Sequence, residues 1–307
     1  MTVNSVFEED WWLNIVAPNC WKEIIIEKEG TKLGRFVYCE KRKILGKRIY
    51  MPLLTQTLGF SFDLNINESN TLSFQKDCIN EVLNKFKPLM SCDLCLDVSN
   101  YYVLPYLWKR FFIKPRFTYR ITNLLDIDCV YNNFSNTVKK NIKRAQKKVY
   151  ISNEVRVDYL KNMIIETYKI QHRRPPFPLS LIEKIVQEAS SRNSGRMFTA
   201  LDEVGNIHAC SFVVYNSNVC HALLGGSNPK YRNSGAKSLI WFEAIKFAST
   251  VSKEFDFEGS MIESIEQFVR QFGGKPTVYY NVVKKTMLEL LFDYLKPYIK
   301  YIIGYKQ

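Results

Sequence analysis

Two clusters in the last third of the chain carry the residue types of a transfer reaction. The first is Asn228-Pro229-Lys230-Tyr231-Arg232-Asn233-Ser234-Gly235-Ala236-Lys237-Ser238, small and basic residues opening an apolar helical pattern. The first N–H groups of a helix lack intrahelical partners and attract anions. A pyrophosphate there would accept from the main chain of Ser234, Gly235, Ala236 and Lys237. Gly235 admits close approach, and Arg232, Lys230 and Lys237 add charge. A ligand-free turn with Ser234 as N-cap accounts for the same residues.

The second cluster is Phe255-Asp256-Phe257-Glu258-Gly259-Ser260. On a strand, Phe255 and Phe257 face one way, Asp256 and Glu258 the other. Acyl transfer to an amine needs a base. Asp256 and Glu258 are the candidates, Glu258 nearer the strand end, with Gly259 and Ser260 beside the acceptor. Paired with basic neighbours, the same carboxylates would be structural. Tyr280 follows on the next strand as a candidate proton donor to a leaving group, although packing uses tyrosines as well. Together the clusters point to a phosphate-bearing acyl donor held beside a reactive carboxylate.

These residues need a frame, and the chain offers one twice. In the second half, helices Val155–Ile170 and Leu181–Ser190 flank the proline-rich loop Arg173–Pro178. A meander of Arg196–Leu201, Ile207–Tyr215 and Val219–Leu224 follows. Then come helix Gly235–Ser249, strand Glu254–Phe257, helix Ile262–Gln271 and strand Thr277–Lys284. The first half has a short helix around Glu8–Val16, then strands Glu23–Glu27, Leu33–Cys39 and Arg48–Met51. A helix with Phe74, Cys78, Ile79, Val82, Leu83 and Phe86 on one face comes next, ended by Lys87-Pro88. Strand Asp93–Val98, helix Tyr101–Phe111 and strand Phe117–Thr122 complete it. The order repeats; the residues do not. Between the halves, Lys139–Lys148 sets basic pairs four apart, opposite an apolar face of Phe134, Val138, Ile142, Ala145 and Val149. That pattern is an amphipathic helix docked on a domain. Its basic stripe could hold tRNA phosphates or an anionic lipid surface, or simply face water.

The chain has 307 residues, 46% hydrophobic and 24% charged, with a net charge of +13. The length allows about two domains, and the charge favours anionic partners as well as solubility. The N-terminus is acidic, without the apolar run of a signal peptide, and no stretch approaches the ~20 apolar residues of a membrane span. The expected location is the cytoplasm, with any membrane contact peripheral. Cys92 and Cys95 have metal-ligand spacing, but among eight cysteines no second pair completes a site. His172, His208 and His221 are isolated. These facts argue against a zinc enzyme or a histidine-based triad, and no metal is expected.

Three segments resemble Fem-like proteins of the GNAT acyltransferase superfamily: Met51-Pro52-Leu53-Leu54-Thr55-Gln56-Thr57-Leu58-Gly59, Asn141-Ile142-Lys143-Arg144-Ala145, and Phe255–Gly274. The resemblance implies an α/β fold, two tandem GNAT-like domains with mixed sheets. The boundaries expected are 1–124, completed by the apolar, basic tail 286–307, a connecting helix over 125–150, and a donor-binding domain over 151–285. Acyl-CoA is the implied co-substrate, with aminoacyl-tRNA the donor in Fem-type relatives. The superfamily's donor loop has the pattern [Gln/Arg]-x-x-Gly-x-[Gly/Ala]. Arg232 and Gly235 match it, and Lys237 departs from it. Thr55 and Gln56 could line an acceptor cleft between domains or belong to a structural loop. The function expected is transfer of an acyl, typically acetyl, group to an amine of a cell-envelope sugar or glycan precursor. A Fem-type aminoacyltransferase and a non-catalytic scaffold holding an anionic partner are the alternatives.

Overall fold

The computed structural model describes residues 3–28, 30–43, 46–62, 68–87, 89–259 and 261–302. The elements run α1 (Asp10–Val16), β1 (Trp21–Lys28), β2 (Thr31–Arg42), β3 (Lys47–Tyr50), β4 (Phe60–Phe62), α2 (Glu68–Asn84), β5 (Met90–Cys95), α3 (Leu104–Trp108) and β6 (Phe112–Ile121). Two helices, α4 (Ile127–Asn132) and α5 (Asn136–Ala145), lead to β7 (Tyr150–Ser152), α6 (Val157–Ile170) and α7 (Leu179–Ser191). Then come β8 (Gly195–Leu201), β9 (Ile207–Tyr215), β10 (Val219–Ser227), α8 (Ala236–Val251), β11 (Glu254–Asp256), α9 (Glu263–Val269), β12 (Lys275–Lys284) and α10 (Met287–Ile302).

The chain divides into two compact units. One comprises Asn19–Pro115 and the chain from Tyr279 on; the other comprises Val3–Pro18 and Arg116–Val278. In the first unit the strands lie in the order β1-β2-β3-β5-β12, with β4 also on β2. The β3/β5 pair is parallel and its neighbours are antiparallel. In the second the order is β6-β11-β10-β9-β8-β7, with β10/β11 the parallel pair. Each unit thus repeats a meander, a helix, and a strand parallel to the meander's last strand. Parallel neighbours need a crossover long enough to hold a helix, here α2 and α8. Each sheet is closed by a strand from the other half of the sequence. Ile121 and Arg120 of β6 pair with Phe255 and Asp256, and Asn281–Lys284 of β12 pair with Cys95–Cys92.

The core of the second unit explains its helices. Ser135 accepts from the N–H of Val138 and starts α5. The apolar face expected from the sequence, Phe134, Val138, Ile142, Ala145 and Val149, is buried against Leu239, Ile240, Ala244 and Ile245 of α8. Each large side chain buried there stabilises by about 1.5–3 kcal/mol relative to exposure. Phe255, Phe257 and Phe272 fill the same core.

Some expected elements differ. The helix expected over Tyr101–Phe111 is only α3, because Pro105 sits in its first turn and Arg110 has φ +63°. That frees Phe112 to begin a longer β6. The strand expected to reach Phe257 stops at Asp256. The tail expected from Thr286 forms α10 in the first unit, where Glu289 pairs with Lys43; residues 303–307 lie outside the described residues.

Candidate active site

The parallel pair β10/β11 is short for a reason visible in its side chains. The ladder joins Val219, Cys220 and His221 to Glu254, Phe255 and Asp256, and then the strands part. β10 continues along β9 to Ser227, with an irregular register between His221 and Leu224. The other strand is turned away because Asp256 Oδ1 accepts from the N–H of Glu258 at 2.7 Å. Glu258 has φ +58°, an uncommon conformation for a residue with a side chain. Gly259 follows with φ +28°, where an added Cβ would lie 2.3 Å from Thr118 Cα. Only glycine fits that approach to β6. Asp256 is fully buried and also accepts from Thr118 Oγ1 at 2.5 Å and Arg120 Nε at 2.7 Å. Arg120 Nη1 donates to Glu254 at 3.1 Å. A buried carboxylate tolerates its desolvation only with such partners.

Glu258 is set differently. Its Oε1 lies 3.3 Å from Nδ1 of His221, a fully buried ring packed 4.6 Å from Phe7. Burial pushes the Glu258 carboxyl above its ordinary value; the His221 contact opposes that rise. A raised carboxyl is a stronger base when ionised. The sequence treats His221 as an isolated residue. Its one signal is a polar side chain inside the apolar run Val219-Cys220-His221-Ala222-Leu223. Only the pairing of His221 with Asp256 puts it near Glu258.

At the far end of β10, Pro229–Ser234 form a 3-10 turn, with Asn228 Oδ1 accepting from the N–H of Lys230 at 3.0 Å. Ser234 Oγ accepts from the N–H of Ala236 at 3.2 Å, so one of the expected anion donors is occupied; the N-cap of α8 is Gly235 and not Ser234, because the left-handed glycine separates Ser234 from the helix. Gly235 has φ +84°, and a Cβ there would meet Asn141 O at 2.3 Å. The glycine is therefore required by the approach of α5, a contact the sequence does not reveal. Beside this turn lies a cavity of about 440 Å³ lined by Arg144, Arg232, Lys237, Ser227, His208 and Tyr231, among others. Tyr231 stacks on His208 with centroids 4.1 Å apart. Lys237, where the superfamily pattern has a small residue, lies over the rings of Phe268 and Trp241 at 4.5 and 5.6 Å.

The remaining candidates fall elsewhere. Thr55, Gln56 and Tyr280 belong to the first unit. Thr55 Oγ1 donates to Leu53 O, and Tyr280 O accepts from the N–H of Leu96 at 2.8 Å. Ser260 lies outside the described residues. Asp256, Glu258, Gly259, Arg232, Ser234, Gly235, Ala236 and Lys237 all belong to the second unit. Among the described residues, no group of three or more His, Cys, Asp or Glu could hold a metal ion. Burial pushes the thiols of Cys39, Cys78 and Cys210 up to about 12, far from thiolate chemistry.

Residues 132–260 match the acetyltransferase (GNAT) domain family. That segment holds α5, the cavity turn, the parted strands and Glu258. The match covers a GNAT domain within the chain, less than half of its length. The fold of the chain resembles that of FemX over 94% of both chains, with TM-score 0.71 and 12% identity. It also resembles a conserved protein of unknown function from Bacteroides thetaiotaomicron (TM-score 0.54, 12% identity, 90% of this chain and 88% of that one). L-PGS from Bacillus licheniformis is similar as well (TM-score 0.51, 10% identity, 96% and 91%). At such identities the likeness is one of fold. No curated protein sequence matches the chain.

Proposed function

We propose that the second unit transfers an acyl group from an acyl-CoA to an amine, with Glu258 as the base. The observation that carries this is the parting of β10 and β11 immediately after His221 and Asp256. Among the described residues it leaves one edge of β10 beyond His221 without a strand partner, between Glu258 and the cationic cavity at the head of α8. A donor would lay its phosphates against Arg232, Arg144, Lys237 and the main chain around Gly235. Its acyl arm would run along β10 toward Glu258. The donor is the electrophile, so the incoming amine must be neutral. Glu258, desolvated and ionised, takes the proton as nitrogen attacks the thioester carbonyl; collapse breaks the C–S bond and expels the thiolate, which takes that proton back from Glu258 as it leaves. Asp256 acts as a positioning residue, since its carboxylate holds the Glu258 main chain in its turned conformation. Gly259 lies next to the base and would face the acceptor, an amine of a cell-envelope sugar or precursor.

Aminoacyl-tRNA is the second donor reading, and one observation favours it. Asn141 and Arg144 of α5 line the cavity, and the same helix exposes Lys140 and Lys143, with Lys147 and Lys148 just beyond it. A backbone-tracking stripe would therefore lead into the donor site.

Thermal melting separates the two. Acetyl-CoA at a hundred times its dissociation constant should stabilise the protein by about 2.7 kcal/mol and raise Tm. No shift across a panel of acyl-CoA thioesters, with tRNA retained at moderate salt, would transfer the proposal to the aminoacyl donor. Neither effect would end both.

A further inference from the structure

We infer that α10 is an in-plane anchor that docks the protein on an anionic lipid bilayer. The helix is inverted relative to an ordinary surface helix. Met287, Leu290, Leu291 and Tyr294 follow the spacing of a single helix face, yet all four are exposed, Met287 at 82% and Tyr294 at 68%. Its two acidic residues are the ones that make contacts: Glu289 with Lys43, and Asp293 with Lys285. Leu288 and Phe292, also substantially exposed, line an open cavity of about 930 Å³ under the helix together with Arg42 and Lys284. A continuous apolar stripe of this kind marks a surface that is covered in use.

The charge pattern selects the occupant. Arg42 and Lys284 line the cavity beneath the helix, while the helix's carboxylates Glu289 and Asp293 are already matched by Lys43 and Lys285. A second copy would bring another net charge of +13 toward this face. An anionic bilayer meets both demands, taking the apolar stripe into its interface and the Arg42 and Lys284 cations at its headgroups. Tyrosine at the stripe suits the water–lipid boundary. Among the described residues no helix is long and apolar enough to cross a membrane, so α10 would lie along the surface.

The test uses the full chain and does not depend on the transfer reaction. Co-sedimentation is measured with vesicles of phosphatidylglycerol and phosphatidylcholine in equal parts, and with phosphatidylcholine alone. The expected result is binding to the anionic vesicles, weaker binding to the neutral ones, and a loss of about tenfold or more in Leu290→Glu/Leu291→Glu with unchanged Tm. Leu291→Ser, a milder change, should lower binding in the same direction should the double variant melt early. Absence of binding to anionic vesicles, or equal binding by the variants, overturns the proposal. So does a concentration-dependent dimer that the same substitutions abolish, which would make a second copy the occupant.

Discussion

Two carboxylates two positions apart have been given opposite work by their surroundings. Asp256 is buried among Thr118, Arg120 and a main-chain N–H, and Asp256→Ala would strand the Arg120 guanidinium in the core. Breaking a buried pair costs ~3–5 kcal/mol, and the surviving Arg120–Glu254 contact places the expected loss near the lower end, readable by urea denaturation. Glu258→Gln should behave in the reverse manner. Removing a general base lowers kcat by about 10²–10⁴. Because burial raises the Glu258 carboxyl, the native state holds its proton more tightly than the unfolded chain does. That contribution favours the fold at acid pH and is lost as pH rises through the raised native value. At pH 8 the glutamine variant should therefore melt no lower than the parent, and a large drop in Tm would assign Glu258 to structure. The parent's rate should fall on acidification at a pH above that of an ordinary carboxylate. Replacing His221 by leucine removes the contact that opposes the rise and should move this acid limb further upward, with KM little changed.

At the scale of elements, the turn proposed to hold the donor depends on α5 as much as on its own sequence. Gly235→Ala introduces a side chain at φ +84°, against Asn141 O. The left-handed conformation alone costs ~1–2 kcal/mol for a residue with a Cβ, and the collision must also displace either the turn or α5. Donor affinity should fall along with stability, measurable as a smaller thermal shift at saturating acetyl-CoA. Adding the collision explains why alanine should be worse here than at Gly205, where φ is +85° but the space is open. The helices α5 and α8 are legible beforehand, since each presents small or apolar residues at helical spacing. The turn geometry is not, because it answers to a helix about ninety residues earlier in the chain.

For the whole molecule, the decisive feature is the exchange of closing strands. The last strand of the first half pairs with β11, and β12 pairs with β5. Segments 1–122 and 123–307, produced separately, should each lack a sheet partner and show weak, non-cooperative melting. Produced together they should associate and recover a cooperative transition. Independent, fully cooperative folding of both segments would contradict the pairing.

The sequence by itself determined the class of fold, the repeated order of elements, the apolar face of α5 and the loop and strand in which the chemistry is sought. These follow from local periodicity, caps and glycines, which act over a few residues. Tertiary structure alone decided the rest. Glu258 meets His221 because two strands run parallel for three residues and then separate; Gly235 is fixed by the main chain of another helix. Asp256 is neutralised by residues on β6, more than a hundred positions away. Such pairings depend on which backbone edges remain open once each meander has formed, and no residue pattern within a strand records that choice.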